Sequence, residues 1–403
     1  MLINQIFEID SCDDVELNIK RTSKLEYRIS YDDEKEMKAI VFIIGGYGAN
    51  ANIYFLDSYR NYIAKNFDVV AVHVFYHCFC QRRSDVEKYS AFTIFTKDDV
   101  SNLSQVLLEI GVNINVNLEN AQQCYELLNQ NITTLKLQGK LVQNYQAKFT
   151  STFIPPNGDY QNYGIMAAID HINALKDLVK RFPKFADLPK IYGGGSYGGY
   201  LSLLIAKIAP WYVDGVIDNS GSALPSPMFI LERESGQCDY FEEYPHNKIG
   251  FFIRTYWNAD VSSKYFFHTE NYLIRIIPNL AHLTIQANVN KNIVLVSYHS
   301  LKDPFNTAKD KQTLFLAYKE LGYDATLHLI KDESEIDGRF IKDLNHGMRI
   351  SDKALFRKEL PLMLEKLQKR KSLMQENSIS YPCGNKVFVF KDLEDKFELE
   401  IKD

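Results

Sequence analysis

A continuous apolar run ending in glycines, "KAIVFIIGGYG" (Lys38–Gly48), is followed by a segment of helical period, "ANIYFLDSYRNYIAKNF". A second apolar run, "DVVAVHVFYHCF", comes next. Unbroken apolar runs of this length read as strands buried on both faces. Strand, helix and strand in succession predict parallel pairing through a right-handed crossover. A sheet built this way must be covered by helices on both faces. The rhythm returns later in the chain. Ile165, Ile169, Ile172, Leu175, Val179 and Phe182 stand at helical spacing, and "LPKIYGGGS", "VDGVIDNSG", "NIVLVSYH" and "ATLHLIK" read as further strands with helical segments between them. The predicted fold class is α/β, a mostly parallel sheet with helices on both faces.

At 403 residues the chain can bury such a core as one domain, 1–403, with insertions. Two stretches lie outside the sheet logic. Residues 81–162 are polar, rich in Asn and Gln and partly helical in period, and predict a helical insertion that serves as an arm or an oligomer contact. Residues 222–288 are rich in aromatics between Phe229 and Tyr272 and predict a cap, or lid. The first 37 residues, with "QIFEID", "VELNI" and "LEYRISY", read as antiparallel edge strands, and residues 380–403 as a C-terminal hairpin.

The net charge of −5 is mild for this length and gives no footprint for nucleic acid. The one basic run, Lys369–Lys371, reads as a solvated helix end. No apolar stretch approaches the ~20 residues that span a bilayer. The N-terminus lacks a basic start and an apolar core, so a cytoplasmic location is expected. Six cysteines at irregular spacing form no disulfide framework. In "HVFYHCFC", strand alternation would send His73 and His77 to one face and Cys78 and Cys80 to the other, which splits a metal-ligand set and predicts ordinary packing.

The chemistry concentrates at "YGGGSYGGY". Ser196 stands between an apolar strand-like run and an apolar helix-like run, with Gly194 and Gly198 two residues away on either side. A G-x-S-x-G turn from strand to helix is the nucleophile elbow. The expected reason for the glycines is that positions two before and two after the serine crowd each other. The hydroxyl is then lifted to the N-terminus of a helix, whose dipole favours a developing oxyanion. A glycine-rich turn could also hold a phosphate, but the Lys and Ser/Thr of a P-loop are missing. One oxyanion donor is expected from the Tyr197 N–H. A second should come from the loop after the first buried strand, from Tyr47 or Gly46.

In sheets of this kind the acid and then the histidine follow the serine. His299, His328 and His346 come late enough. His328 falls inside a strand run and reads as packed, and His299 ends the strand before the best acid. His346, in a loop and followed by Gly347, is the candidate base. Asp303 is the candidate acid, and Asp218, in "VIDNSG", is the alternative one strand earlier.

With these residues in place, the sequence resembles the α/β-hydrolase superfamily. "GGSYGGY" is most similar to the elbow of its prolyl oligopeptidase-like and acyl-esterase branches. The resemblance covers Lys38 to Lys369 and departs from the pattern at "GGYG", which lacks the preceding His common in esterases, and in both insertions. With about 37 residues ahead of the sheet, no β-propeller is expected, and an esterase is implied rather than a peptidase. The whole chain is also similar to an uncharacterised hydrolase-like family from flagellated bacteria, whose genes sit near flagellin-sugar genes. The expected function is a serine hydrolase that cleaves an ester, an O-acyl group on a carbohydrate or small molecule, without metal or cofactor. An O-acyltransferase with the same triad and a non-catalytic hydrolase-fold binding scaffold are the alternatives.

Overall fold

The computed structural model describes residues 1–48, 52–368 and 377–403, so the run Lys369–Lys371 lies outside the described residues. The chain opens with β1 (Leu2–Asp10) and β2 (Lys24–Asp32). A strand–helix–strand unit follows in β3 (Ile40–Ile43), α1 (Ile53–Phe67) and β4 (Val70–Phe75). The first excursion carries β5 (Phe92–Ile94), α2 (Lys97–Glu109), α3 (Ala121–Leu137) and β6 (Ala147–Ile154). The alternation resumes with α4 (Ile165–Arg181), β7 (Lys190–Gly195), α5 (Tyr197–Ile208) and β8 (Gly215–Asn219). The second excursion holds α6 (Pro227–Ile230), β9 (Tyr240–Glu243), β10 (Asn247–Ile253), α7 (Thr269–Arg275) and α8 (Leu280–Val289). Then come β11 (Val294–Ser300), α9 (Ala308–Glu320), β12 (Asp324–Ile330) and α10 (Asp352–Leu367), followed by β13 (Ser378–Cys383), β14 (Lys386–Asp392) and β15 (Phe397–Lys402).

The central sheet has eight strands in the order β1-β2-β4-β3-β7-β8-β11-β12. β1 and β2 are antiparallel to their neighbours, and every pairing from β4 to β12 is parallel. This is the α/β-hydrolase sheet, with the serine at the exit of its fifth strand in chain order. The unbroken apolar runs follow from burial on both faces. Tyr192, Phe42, Val72 and Leu295 point toward α4, α5 and α9. Ile191, Val41, Ala71 and Val294 point toward α1 and α10.

Several features differ from the sequence reading. "VELNI" forms no strand; it is a loop closed by the Asp14–Ile19 bridge, with Leu17 in the core. β4 ends at Phe75, so His77, Cys78 and Cys80 lie in the turn beyond it rather than on a strand face. Residues 81–162 are not wholly helical. β5 and β6 join β10 and β9 of the second excursion in a four-stranded sheet, order β5-β6-β10-β9. Phe149, Phe153, Ile249, Phe251 and Ile253 from these strands close over α2 and α3 in one apolar cluster. The two insertions are thus one body, which we call the cap. Asp99 of α2 is buried and accepts from Thr150 and from Arg233 of the second excursion, fastening the halves together.

Residues 269–289 depart from the cap. Ile274 and Leu283, from α7 and α8, pack in the main core. The C-terminal segment is a three-stranded antiparallel sheet from Ser378 to Lys402, one strand more than a hairpin. It is tied to α4 by Asn173, which bonds the backbone N–H and C=O of Phe397. No helix of the described residues is long and apolar enough to cross a membrane.

Candidate active site

Ser196 follows β7 directly and caps α5, with φ 54° and ψ −118°. A serine in this region stores strain of about 1–3 kcal/mol, which the surrounding structure must impose. Its N–H is held by the Asn219 carbonyl at 2.7 Å. The glycines around it answer to different neighbours. A Cβ at Gly194 would lie 1.8 Å from the Ile44 carbonyl oxygen, and one at Gly198 2.0 Å from the same atom. The end of β3, more than mutual crowding of the two glycines, is what forbids a side chain there. A Cβ at Gly199 would lie 1.9 Å from Asp218 Oδ1.

His346 sits in the turn between β12 and α10, and Asp303 in the turn after β11. His346 Nε2 lies 2.8 Å from Ser196 Oγ, and His346 Nδ1 lies 2.8 Å from Asp303 Oδ2. The structure therefore brings the three candidate residues into one hydrogen-bonded line. The Asp303 side chain is fully buried, whereas that of His346 is 22% exposed. Burial alone would push the Asp303 carboxyl up. The bonds from His346 and from the Asn306 and Phe305 backbone N–H groups outweigh it and hold the carboxyl below its ordinary value of 3.8. It is thus an anion at neutral pH. A depressed native value gives stability that is present above the ordinary value and is lost as pH falls through the native one. Urea midpoints measured between about pH 5 and about pH 3 should therefore fall less steeply in Asp303→Asn protein than in the parent.

Tyr197 is the first residue of α5 and is buried, and first-turn N–H groups of a helix have no intrahelical acceptor. Gly46 abuts the serine, since a Cβ on it would lie 3.7 Å from Ser196 Cβ. The Tyr47 ring stands against Phe229 and Tyr197, and its hydroxyl donates to Asp239 of the cap at 2.8 Å. Phe229 also faces Tyr163, which in turn meets Tyr197, so cap and sheet share an aromatic wall beside the elbow. His299 is buried against the Asn306 carbonyl, and burial lowers its pKa. His328 is exposed rather than packed, stacked on Tyr298.

Asp218 contacts no histidine at hydrogen-bond distance among the described residues. It is fully buried, accepts from Lys311 Nζ at 2.7 Å and Ser297 Oγ at 2.6 Å, and receives the Gly221 N–H. This ion pair anchors the stretch that positions the histidine turn. Asn219 Nδ2 donates to the Gly347 carbonyl, Ser220 Oγ accepts the Gly347 N–H, and Asn306 Nδ2 donates to the Ser220 carbonyl. Ser220 holds φ 56° to do so. Asn219 and Ser220 were marked in the sequence only as part of the polar "DNSG" at a strand exit, and Lys311, in α9, left no signal. Phe305, 66% exposed, stands edge-on to the His346 ring at 5.4 Å.

No curated protein matches the chain. Among solved structures it is similar to the acylaminoacyl peptidase of Pyrococcus horikoshii, with 12% identity and a TM-score of 0.45, covering 93% of this chain and 42% of that one. The chain thus spans about two fifths of that peptidase. It is also similar to a puromycin-hydrolyzing peptidase of Mycobacterium tuberculosis, at 12% identity and a TM-score of 0.40, covering 86% of this chain and 38% of that one. TT1662 of Thermus thermophilus matches at 10% identity and a TM-score of 0.40, covering 86% of this chain and 95% of its own. Residues 5–401 match the family described as a protein of unknown function, DUF2920, and the chain belongs to that family.

Proposed function

We propose that the protein is a serine hydrolase that cleaves an ester, an O-acyl group on a carbohydrate or other small molecule. The observation that carries the reading is the line Ser196–His346–Asp303, with both bonds at 2.8 Å and the serine on a strained turn at a helix N-terminus. In this reading Ser196 Oγ attacks the acyl carbonyl while His346 Nε2 takes its proton. His346 then returns the proton to the leaving alcohol, and water repeats the cycle on the acyl-enzyme. Asp303 keeps the proton on Nδ1, so that Nε2 presents its lone pair to the serine, and it stabilises the imidazolium. The Tyr197 N–H and an N–H from Gly46 or Tyr47 receive the oxyanion. The aromatic wall of Tyr47, Tyr163 and Phe229 supports an acyl chain or the apolar face of a sugar ring as the group bound beside the serine.

Incubation with a fluorophosphonate followed by peptide mapping tests the assignment. Label on Ser196 alone is expected. Label on a different serine, or none on folded protein, would remove Ser196 from its role. Product analysis with added alcohols then separates hydrolysis from transfer.

A further inference from the structure

Arg82 lies just beyond the turn that follows β4, where the chain leaves the hydrolase sheet for the cap. Its guanidinium lies against two groups. One is Gly48, at the end of the loop that passes the serine. A Cβ on Gly48 would lie 3.1 Å from Arg82 Nη2 and 3.2 Å from Nε, so a side chain there would crowd the cation. The second is the Tyr240 ring of the cap, with the guanidinium carbon 4.5 Å from its centroid. Gly48 also holds φ 65°, a conformation that suits glycine. A cation over a ring face is favourably placed, but that leaves its planar N–H donors unused.

Among the described residues no carboxylate or other acceptor bonds Arg82, and its Nε is buried without a partner. The carboxylates nearby are engaged elsewhere. Glu242 bonds Tyr244, and Asp239 accepts from Tyr47 and from the Ile253 N–H. The neighbouring Arg83 has no ion-pair partner among the described residues either and lies 5.9 Å above the Phe251 ring. A half-buried guanidinium with an orphaned donor is costly to keep unless something completes it. Gly48 is two residues beyond Gly46, which touches Ser196, and two residues of chain span at most ~7 Å. The same short loop therefore borders both the serine and the cation.

We propose that Arg82 is a specificity determinant that binds an anionic group, a carboxylate or a phosphate, on the substrate. This rests on Ser196 being the nucleophile. A planar carboxylate or a phosphate offers the paired acceptors that the guanidinium fork lacks.

Phenyl acetate, para-acetoxybenzoate, para-acetoxyphenyl phosphate and phenyl hemisuccinate place no anion, a carboxylate or a phosphate on the alcohol side, and a carboxylate on the acyl side. In Arg82→Gln protein the ratio of kcat/KM for the preferred anionic ester to that for phenyl acetate should fall about 10- to 100-fold, mainly through KM. Arg82→Lys should recover part of that ratio, because it restores charge without the fork. The ester showing the largest fall identifies carboxylate or phosphate. A ratio unchanged for all three anions, or equal losses on every ester, would overturn the proposal, the latter marking Arg82 as a latch between cap and sheet. A binding measurement keeps this test separate from the hydrolase reading. Calorimetry of Ser196→Ala protein with para-acetoxybenzoate, para-acetoxyphenyl phosphate and phenyl hemisuccinate should show binding of at least one, weakened by Arg82→Gln. Absence of Ser196 labelling together with Arg82-dependent binding would remove the hydrolase and leave the anion site, whereas absence of binding to all three would remove the anion site.

Discussion

Asp303→Asn protein should lose about 10⁴ in kcat on any ester that the parent accepts, the loss known for the same change in another serine enzyme. The geometry explains the size. Asp303 Oδ2 accepts from His346 Nδ1, while Oδ1 is occupied by the backbone N–H groups of Phe305 and Asn306. Those two donors would hold the amide oxygen of an asparagine in the place of Oδ1. The amide nitrogen would then face Nδ1 and, being a donor, would favour the tautomer with its proton on Nε2. That tautomer cannot accept the proton of Ser196. Folding should be nearly unchanged, which circular dichroism checks. Asp218→Asn makes the decisive comparison, because Asp218 is bonded to Lys311 and Ser297. A folded Asp218→Asn protein without turnover, beside an Asp303→Asn protein near normal, would move the acid one strand earlier.

Arg275→Met protein should lose about 3–5 kcal/mol of stability, the usual cost of removing one partner of a buried ion pair. Arg275 and Glu16 have side chains 0% and 1% exposed and form a two-pronged pair, with both contacts at 2.7 Å. The guanidinium also donates to the carbonyls of Asn162, Tyr163 and Asn271. The first two of those carbonyls belong to the strap that returns from the cap into α4, where Tyr163 and Gly164 both hold positive φ. Methionine would leave the Glu16 charge buried and three carbonyls without their donor. Tyr163 is part of the aromatic wall, so the damage should reach the site as well. Urea denaturation measures the loss. Pairing the change with Glu16→Leu should restore part of the stability, because the stranded charge goes with it. A single-variant loss under about 1 kcal/mol would show that the pair does not hold the strap.

Features whose physics is local in the chain are legible in the sequence itself. The runs Lys38–Gly48 and Asp68–Phe79 are apolar because parallel strands are covered on both faces, and that leaves a mark in consecutive residues. The elbow is legible as well, because Gly194, Ser196 and Gly198 stand within five consecutive residues, although the atom that forbids a side chain at both glycines, the Ile44 carbonyl oxygen, comes from a distant segment. The chain order of Ser196, Asp303 and His346 follows from which strand each residue comes after.

Pairings between distant segments left no such mark. Residues 81–162 read as helical because α2 and α3 carry a strong period, whereas β6 acquires its meaning only beside β10, where Phe149 faces Ile249 across the pair. Which strand edges meet depends on the path of the whole chain rather than on either segment alone. The same holds for the buried charges. Lys311 sits in a charged helical segment that gives no hint of a buried partner, but the fold carries it to Asp218. Arg82 stands in a plain polar stretch of the sequence, and only the fold brings Gly48 and the Tyr240 ring against it. A charge shows what it is for only when its partner, or the lack of one, is in view, and both are set by tertiary contact.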